Sequence, residues 1–185
     1  MILRKRPKLE GMIGDLEADL LTRLAGEVTD GCIVEIGSYR GMSTIALAGG
    51  ARVPVYAVEP HEEFVGVLGG RFGPADRRAF FENLLQADVV EKVRLVNLSS
   101  EVVTPGWQLP VGLLWIDGDH RYEAVRRDFE CWQPHLRGKV AFHDAIQPTL
   151  GPFRLIEELL ADGYELVEHV QGTKVLQRSE VHAAP

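Results

Sequence analysis

Apolar positions along the chain recur with two periods, and the switching between them lays out the elements. Ile13, Leu16, Leu20 and Leu24 recur at helical spacing, which predicts an amphipathic helix at the start of the fold. GCIVEIG then reads as a short strand ending in glycine, followed by a helix over 43–49. VPVYAVEP is a second strand, closed by Pro60. A glycine-rich stretch over 66–73 follows. Pro74 suits the first turn of the next helix, and Phe80, Phe81, Leu84 and Leu85 supply its buried stripe. VRLVNL and VGLLWID are the third and fourth strands. The helix after them carries Tyr122, Val125, Phe129 and Trp132 on one face. VAFH is a fifth strand, and a helix using Phe153, Ile156, Leu159 and Leu160 comes next. YELVEHV and TKVLQR close the pattern as a hairpin turning at Gln171-Gly172.

Strands alternating with helices imply a parallel sheet covered on both faces. The terminal hairpin makes the sheet mostly rather than wholly parallel. The expectation is an α/β sandwich with a seven-stranded sheet, forming one domain over 1–185. Within it, 1–30 would hold an N-terminal helix and lid segment, and 61–74 a lid insertion.

Composition changes this picture little. At 185 residues the chain suits one sizeable core, and 45% hydrophobic with 25% charged residues is ordinary for a folded protein. A formal charge of -7 argues against a general nucleic-acid binder. Cys32 and Cys131 suggest neither a disulfide framework nor a metal motif and read as reduced thiols. The basic cluster Arg4, Lys5, Arg6 and Lys8 precedes no apolar run of signal-peptide length, and no stretch approaches the ~20 residues of a membrane span. A cytoplasmic protein without a membrane partner is expected, and the basic cluster reads as a solvated tail.

Candidate chemistry lies at the strand ends, where open α/β sheets bind ligands. The first strand runs into Glu35-Ile36-Gly37-Ser38-Tyr39-Arg40-Gly41. A dinucleotide GxGxxG turn would need glycine where this chain has Tyr39 and Met42, so a pyrophosphate has poor access. Gly37 permits a tight turn and close approach of a ligand, and Gly41 lets the next helix begin close to that turn. Glu59 ends the second strand, where a carboxylate can accept hydrogen bonds from ribose hydroxyls.

The densest cluster is Asp117-Gly118-Asp119-His120, answered downstream by His143-Asp144. Asp117 and Asp144 suit Mg²⁺ or another hard divalent cation, which would lower the pKa of an acceptor hydroxyl. His143 or His120 could then remove the proton near neutral pH. Asp119 suits helix capping equally well, and His143 a structural hydrogen bond.

With these residues in place, the chain resembles the small class I S-adenosylmethionine-dependent methyltransferases, in particular the Mg²⁺-dependent sugar O-methyltransferases. The matching segments are VEIGSYRGMSTIALA, VYAVEP and LLWIDGDHRYEAVRRDFECWQPHLRGKVAFHDA. The resemblance implies the Rossmann-like methyltransferase fold with its C-terminal antiparallel hairpin. It implies that Glu35, Gly37, Ser38 and Gly41 hold the amino-acid end of S-adenosylmethionine and that Glu59 holds its ribose. Ser99 and Ser100 fall where the family often contacts adenine. It further implies a small-molecule acceptor, such as a saccharide or glycosylated metabolite, and is compatible with a homodimer. Two departures stand out. The sugar enzymes usually carry Asp-Asp where this chain has His143-Asp144, and Leu136-Arg137-Gly138-Lys139 lacks the usual Gly-Gly. The rival readings are a metal-independent methyltransferase, an NAD-dependent oxidoreductase and a non-catalytic binding module.

Overall fold

The computed structural model describes residues 13–179. The basic cluster Arg4–Lys8 and most of the expected N-terminal lid lie outside the described residues.

Helix α1 (Asp15–Glu27) leads into strand β1 (Cys32–Ile36), helix α2 (Met42–Gly50) and β2 (Val55–Val58). A small hairpin, β3 (Phe64–Val65) and β4 (Arg71–Phe72), precedes α3 (Pro74–Gln86) and β5 (Val93–Val96). A single turn, α4 (Ser100–Val103), is followed by β6 (Val111–Ile116), α5 (Tyr122–Trp132) and β7 (Leu136–Phe142). The chain ends in α6 (Gly151–Ala161), β8 (Tyr164–Val170) and β9 (Thr173–Arg178). The main sheet has the order β5-β2-β1-β6-β7-β9-β8, with β9 antiparallel to both β7 and β8.

The two-residue period of a strand divides the core in two. Ile33, Leu113 and Trp115 pack on one face of the sheet with α1, α2 and α3, while Val34, Ile36, Leu114 and Ile116 pack on the other with α5 and α6. Both faces of the central strands are therefore apolar, which is why their sequences read as continuous hydrophobic runs.

The elements fall where the pattern placed them, but some helix faces are rotated. Helix α1 buries Glu17, Ala18, Leu21 and Ala25 beside Leu20 and Leu24, whereas Leu16 is 58% exposed. The helix starts at Asp15, so Ile13 is buried from the preceding turn rather than from the helical stripe. In α3, Phe80 and Leu84 are buried, but Phe81 and Leu85 face solvent. Leu160 of α6 is likewise exposed, and Leu155 takes its place in the core. The hairpin β3–β4 was not marked by the sequence pattern; two-residue strands carry too little periodicity to register. Cys32 is buried, which pushes its thiol up to about 11, and Cys131 is half-buried. Among the described residues, no helix is long and apolar enough to cross a membrane.

Candidate active site

Strand order reverses between β1 and β6, and in such sheets the ligand crevice opens beyond the carboxyl ends at that point. The register aligns the ends: Ile36 pairs with Ile116, and Ile116 with Phe142. Gly37, Asp117 and His143 thus leave three adjacent strands at the same level. Backbone bonds extend the ladder one rung further, from Asp117 N–H to Ile36 O (2.9 Å) and from His143 N–H to Ile116 O (3.1 Å). One cavity spans these ends, lined by Gly37, Ser38 and Glu59 on one side and Asp117, His120, His143 and Asp144 on the other.

Backbone conformation shapes the β1–β2 side. Gly37 has φ +84°, and a Cβ there would lie 2.4 Å from Asp117 O. What presses on Gly37 is thus the neighbouring β6 turn as much as any ligand. Gly41, φ +87°, starts α2 against the ring of Phe80. Tyr39 sits at φ +45°, and its ring meets Phe72 edge-on at 5.2 Å. A tyrosine therefore reaches toward the β3–β4 hairpin from the position where a dinucleotide turn has its second glycine.

Glu59 accepts hydrogen bonds from the N–H groups of His61 (2.9 Å) and Tyr39 (3.3 Å), which aim its carboxylate along the cavity edge. The His61 ring donates in turn to Tyr39 O (3.0 Å), and Asn97 donates to the carbonyls of Glu59 (2.8 Å) and Pro60 (2.6 Å). His61, itself at φ +53°, and Asn97 thus brace the turn; neither was singled out by the sequence.

Glu35 lies fully buried beneath this turn and outside the cavity lining. Burial raises its pKa to about 8, against the opposing hydrogen bonds of Ser43 and Thr44 and with a contribution from nearby Asp117 and Glu59. Its Oε2 accepts from the Thr44 hydroxyl, while Oε1 has no partner. The Ser38 hydroxyl is also buried without a partner and lines the cavity. Of these two unsatisfied atoms, the Ser38 hydroxyl is the one that a polar ligand in the cavity could satisfy.

Ser99 and Ser100 are not among the cavity-lining residues. Ser99 occupies the N-cap position of α4, and the buried Ser100 hydroxyl accepts a hydrogen bond from Trp132 Nε1 at 3.1 Å.

Side chains dominate the β6–β7 side. The His143 ring donates from Nδ1 to Asp117 Oδ1 at 3.0 Å. His120 Nε2 lies 3.5 Å from the same oxygen and 3.4 Å from Asp144 Oδ2, and it is buried without a hydrogen bond. Burial alone would raise the Asp117 pKa, but the two imidazoles outweigh it and hold the carboxyl below its ordinary value. His143 shows the complement: burial opposes its charge, yet Asp117, then Asp144 and Glu17, raise it to about 9. Asp144 sits at φ +48°, a left-handed conformation uncommon for residues other than glycine. Asp119 turns away from the cluster. Its carboxylate accepts the Arg121 N–H (3.2 Å) and pairs with the Arg121 guanidinium (2.5 Å), a side-chain turn ahead of α5 rather than the expected cap, since Arg121 is the N-cap residue and no side chain caps the helix.

The residue that sequence reasoning missed is Glu17. From α1 it reaches His143 Nε2 at 3.5 Å, while accepting hydrogen bonds from the Thr173 hydroxyl (2.8 Å) and Gly14 N–H (3.0 Å). Its one sequence signal was a charged residue inside an apolar stripe.

Beyond this polar floor the cavity is walled by Ile13, Tyr39, Phe64, Val67, Leu68 and Phe72. Arg121 ties the hairpin to the cluster's loop by donating to Val65 O at 3.0 Å. The residues expected to form a lid over 61–74 thus include several that border the site.

A sheet of this order, an ExGxxxG turn, a carboxylate after β2 and a ligand crevice between β1 and β6 define a class I S-adenosylmethionine-dependent methyltransferase. The model of a family described as "Methyltransferase domain" matches residues 34–145, and the chain belongs to that family. Solved structures agree in fold. The O-methyltransferase NovP superposes with a TM-score of 0.73 at 19% identity, over 92% of this chain and 82% of that one. The O-methyltransferase TomG from Streptomyces achromogenes, in complex with SAM, gives 0.69 at 16% identity, over 91% and 82%. An O-methyltransferase from Bacillus cereus in complex with SAH gives 0.69 at 17% identity, over 94% and 84%.

Proposed function

We propose that this methyltransferase moves a methyl group onto a hydroxyl of a small molecule, a glycosylated metabolite with an apolar body. The observation that carries this reading is a single cavity with the glycine turn at one end and the Asp–His cluster at the other. S-adenosylmethionine supplies an electrophilic methyl on its sulfonium. Ser38, whose unpartnered hydroxyl lines the cavity, would receive the amino-acid end, with Glu35 supporting that turn from beneath, and Glu59 presents acceptors for the ribose diol. The apolar wall, Phe64, Val67, Leu68 and Phe72 above all, favours an acceptor with an apolar body, and the polar floor favours a hydroxyl at its reacting end. TomG is described as involved in tomaymycin synthesis, which fits an acceptor drawn from secondary metabolism.

Asp117, His120, His143 and Asp144 converge where that hydroxyl would lie, and the donor atoms of the first three fall within 4.8 Å of one another. A divalent cation held there would lower the pKa of the hydroxyl by Lewis-acid polarisation. The residues fit such an ion: Asp117 offers a charged oxygen, and His120 Nε2 is enclosed without a hydrogen bond. Much of the remaining catalysis comes from holding acceptor oxygen and methyl carbon in line inside a crevice that excludes water.

A second reading needs no metal, with His120 as the base. It is favoured by that same nitrogen, which makes no hydrogen bond and lies between Asp117 and Asp144. His143 is the poorer base, since both ring nitrogens face carboxylates and a pKa of about 9 keeps it protonated at neutral pH. Release of S-adenosylhomocysteine from S-adenosylmethionine should be measured with a panel of glycosylated aromatic and aliphatic alcohols, with and without chelator. Turnover that chelator abolishes and a divalent ion restores supports the first reading. Turnover indifferent to chelator supports the second, and turnover on amines alone contradicts both.

A further inference from the structure

We propose that the cluster at the ends of β6 and β7 is a mixed imidazole–carboxylate centre for a divalent first-row transition ion, such as Fe²⁺, Co²⁺ or Mn²⁺, rather than for Mg²⁺, with Glu17 as its supporting carboxylate. This rests on the metal-assisted reading of the methyltransferase site.

Three observations combine. The grouping of donor atoms within 4.8 Å consists of one carboxylate, Asp117, and two imidazoles, His120 and His143. Mg²⁺ takes oxygen ligands almost exclusively, whereas two histidines with a carboxylate are a donor set for first-row transition ions. The two nitrogens also point inward. His120 Nε2 is buried without a hydrogen bond between Asp117 Oδ1 (3.5 Å) and Asp144 Oδ2 (3.4 Å), and His143 Nδ1, which donates to Asp117 Oδ1 at 3.0 Å, would release that proton to solvent on taking the ion.

The third observation is on the far side of the His143 ring. Its Nε2 faces Glu17 Oε1 at 3.5 Å. Metal-bound imidazoles characteristically donate their other N–H to a carboxylate, which fixes the tautomer and strengthens the ligand. Glu17 is placed for this by contacts from two separate elements, the Thr173 hydroxyl on β9 and the N–H of Gly14 before α1. A glutamate serving only to cap α1 would need one oxygen and would sit in water. Here Oε2 receives Gly14, the other oxygen is turned to Thr173 and His143, and the residue is 5% exposed. The same geometry makes α1 part of the active site, since it delivers the carboxylate that orients His143.

The test uses the full chain stripped of metal and then loaded with Mn²⁺. Pulsed electron paramagnetic resonance should show coupling to imidazole nitrogen, reduced in His120→Gln and in His143→Gln. Mg²⁺ at a hundredfold excess should leave the bound Mn²⁺ in place. Glu17→Gln keeps an acceptor for Gly14 N–H but loses the charge facing His143. It should weaken Mn²⁺ binding about 10–100-fold while S-adenosylhomocysteine affinity stays within about twofold. Bound Mn²⁺ without nitrogen coupling, or displaced by equimolar Mg²⁺, overturns the assignment of the ion. Unchanged Mn²⁺ affinity in Glu17→Gln overturns the role of Glu17. A protein that binds S-adenosylhomocysteine but no Mn²⁺ defeats this inference and leaves methyl transfer standing, whereas failure to bind S-adenosylhomocysteine defeats the functional reading itself.

Discussion

Two carboxylates flank the same rung of the sheet and behave oppositely. Glu35 lies one residue before Ile36 and Asp117 one residue after its partner Ile116. Glu35 is fully buried and the Asp117 side chain is 12% exposed, so both lose most of their hydration. Yet Glu35 is raised to about 8 while Asp117 is lowered. Desolvation pushes both upward; Asp117 has two imidazoles within 3.5 Å, and Glu35 has only hydroxyl donors. The β6–β7 side therefore carries its own compensating charge. On the β1–β2 side no cation offsets the burial of Glu35, so its carboxyl holds its proton up to about pH 8. This asymmetry fits the proposed division, with the cofactor at one end of the cavity and the chemistry at the other.

The comparison breaks most visibly at Asp117. In Asp117→Asn, turnover should fall by about 10²–10⁴-fold, the scale of losing acceptor activation. S-adenosylhomocysteine affinity, measured by calorimetry, should change little. Equal losses in both would merge the two ends into one.

Gly37→Ala attacks the contact between the ends. Its positive φ and the 2.4 Å approach to Asp117 O leave no room for a methyl group. A left-handed non-glycine residue costs about 1–3 kcal/mol before the clash is counted. For a chain of this size the melting midpoint should drop by roughly 2–12 °C. An unchanged midpoint would show that the β1 and β6 turns are not packed as described.

Glu35→Gln sharpens the other half. A carboxyl whose folded pKa lies near 8, above its ordinary 4.5, binds its proton more tightly when folded. Wild-type stability should therefore fall as pH rises from about 4.5 toward 8, then level off. The glutamine variant lacks that fall, so melting curves of the ligand-free proteins should diverge in its favour toward pH 8. Its affinity for S-adenosylhomocysteine should fall by no more than several-fold, since Glu35 lies beneath the turn rather than in the cavity lining. Parallel pH profiles would remove the contrast with Asp117.

The smallest effect belongs to the wall. Phe64 is 37% exposed and stacks on Phe72 at 4.7 Å. Phe64→Ala should raise the KM for an apolar-bodied acceptor several-fold, with kcat and the melting midpoint nearly unchanged. An unaltered KM would take the hairpin out of acceptor binding.

Much of this was legible in the sequence because strand ends are. GCIVEIG, VGLLWID and VAFH are apolar runs buried on both faces, and their boundaries place Gly37, Asp117 and His143 without further information. Helix faces were read less well: Leu16, Phe81 and Leu85 fit the period but sit one position off the buried stripe, a rotation that packing decides. Glu17 was not legible, because its partners Thr173 and His143 come from the far end of the chain and only the closed sheet brings them together. Nor was the difference in surroundings between His120 and His143, which lies in how many carboxylates face each ring.

The most direct measurement is a calorimetric titration of S-adenosylhomocysteine into the wild-type protein and Asp117→Asn, with NADH as the comparison ligand. Binding of S-adenosylhomocysteine to both proteins with similar affinity, and none of NADH, is the expected result. Binding of NADH, or loss of S-adenosylhomocysteine binding in the variant alone, would contradict a cofactor held by the β1–β2 end independently of the cluster.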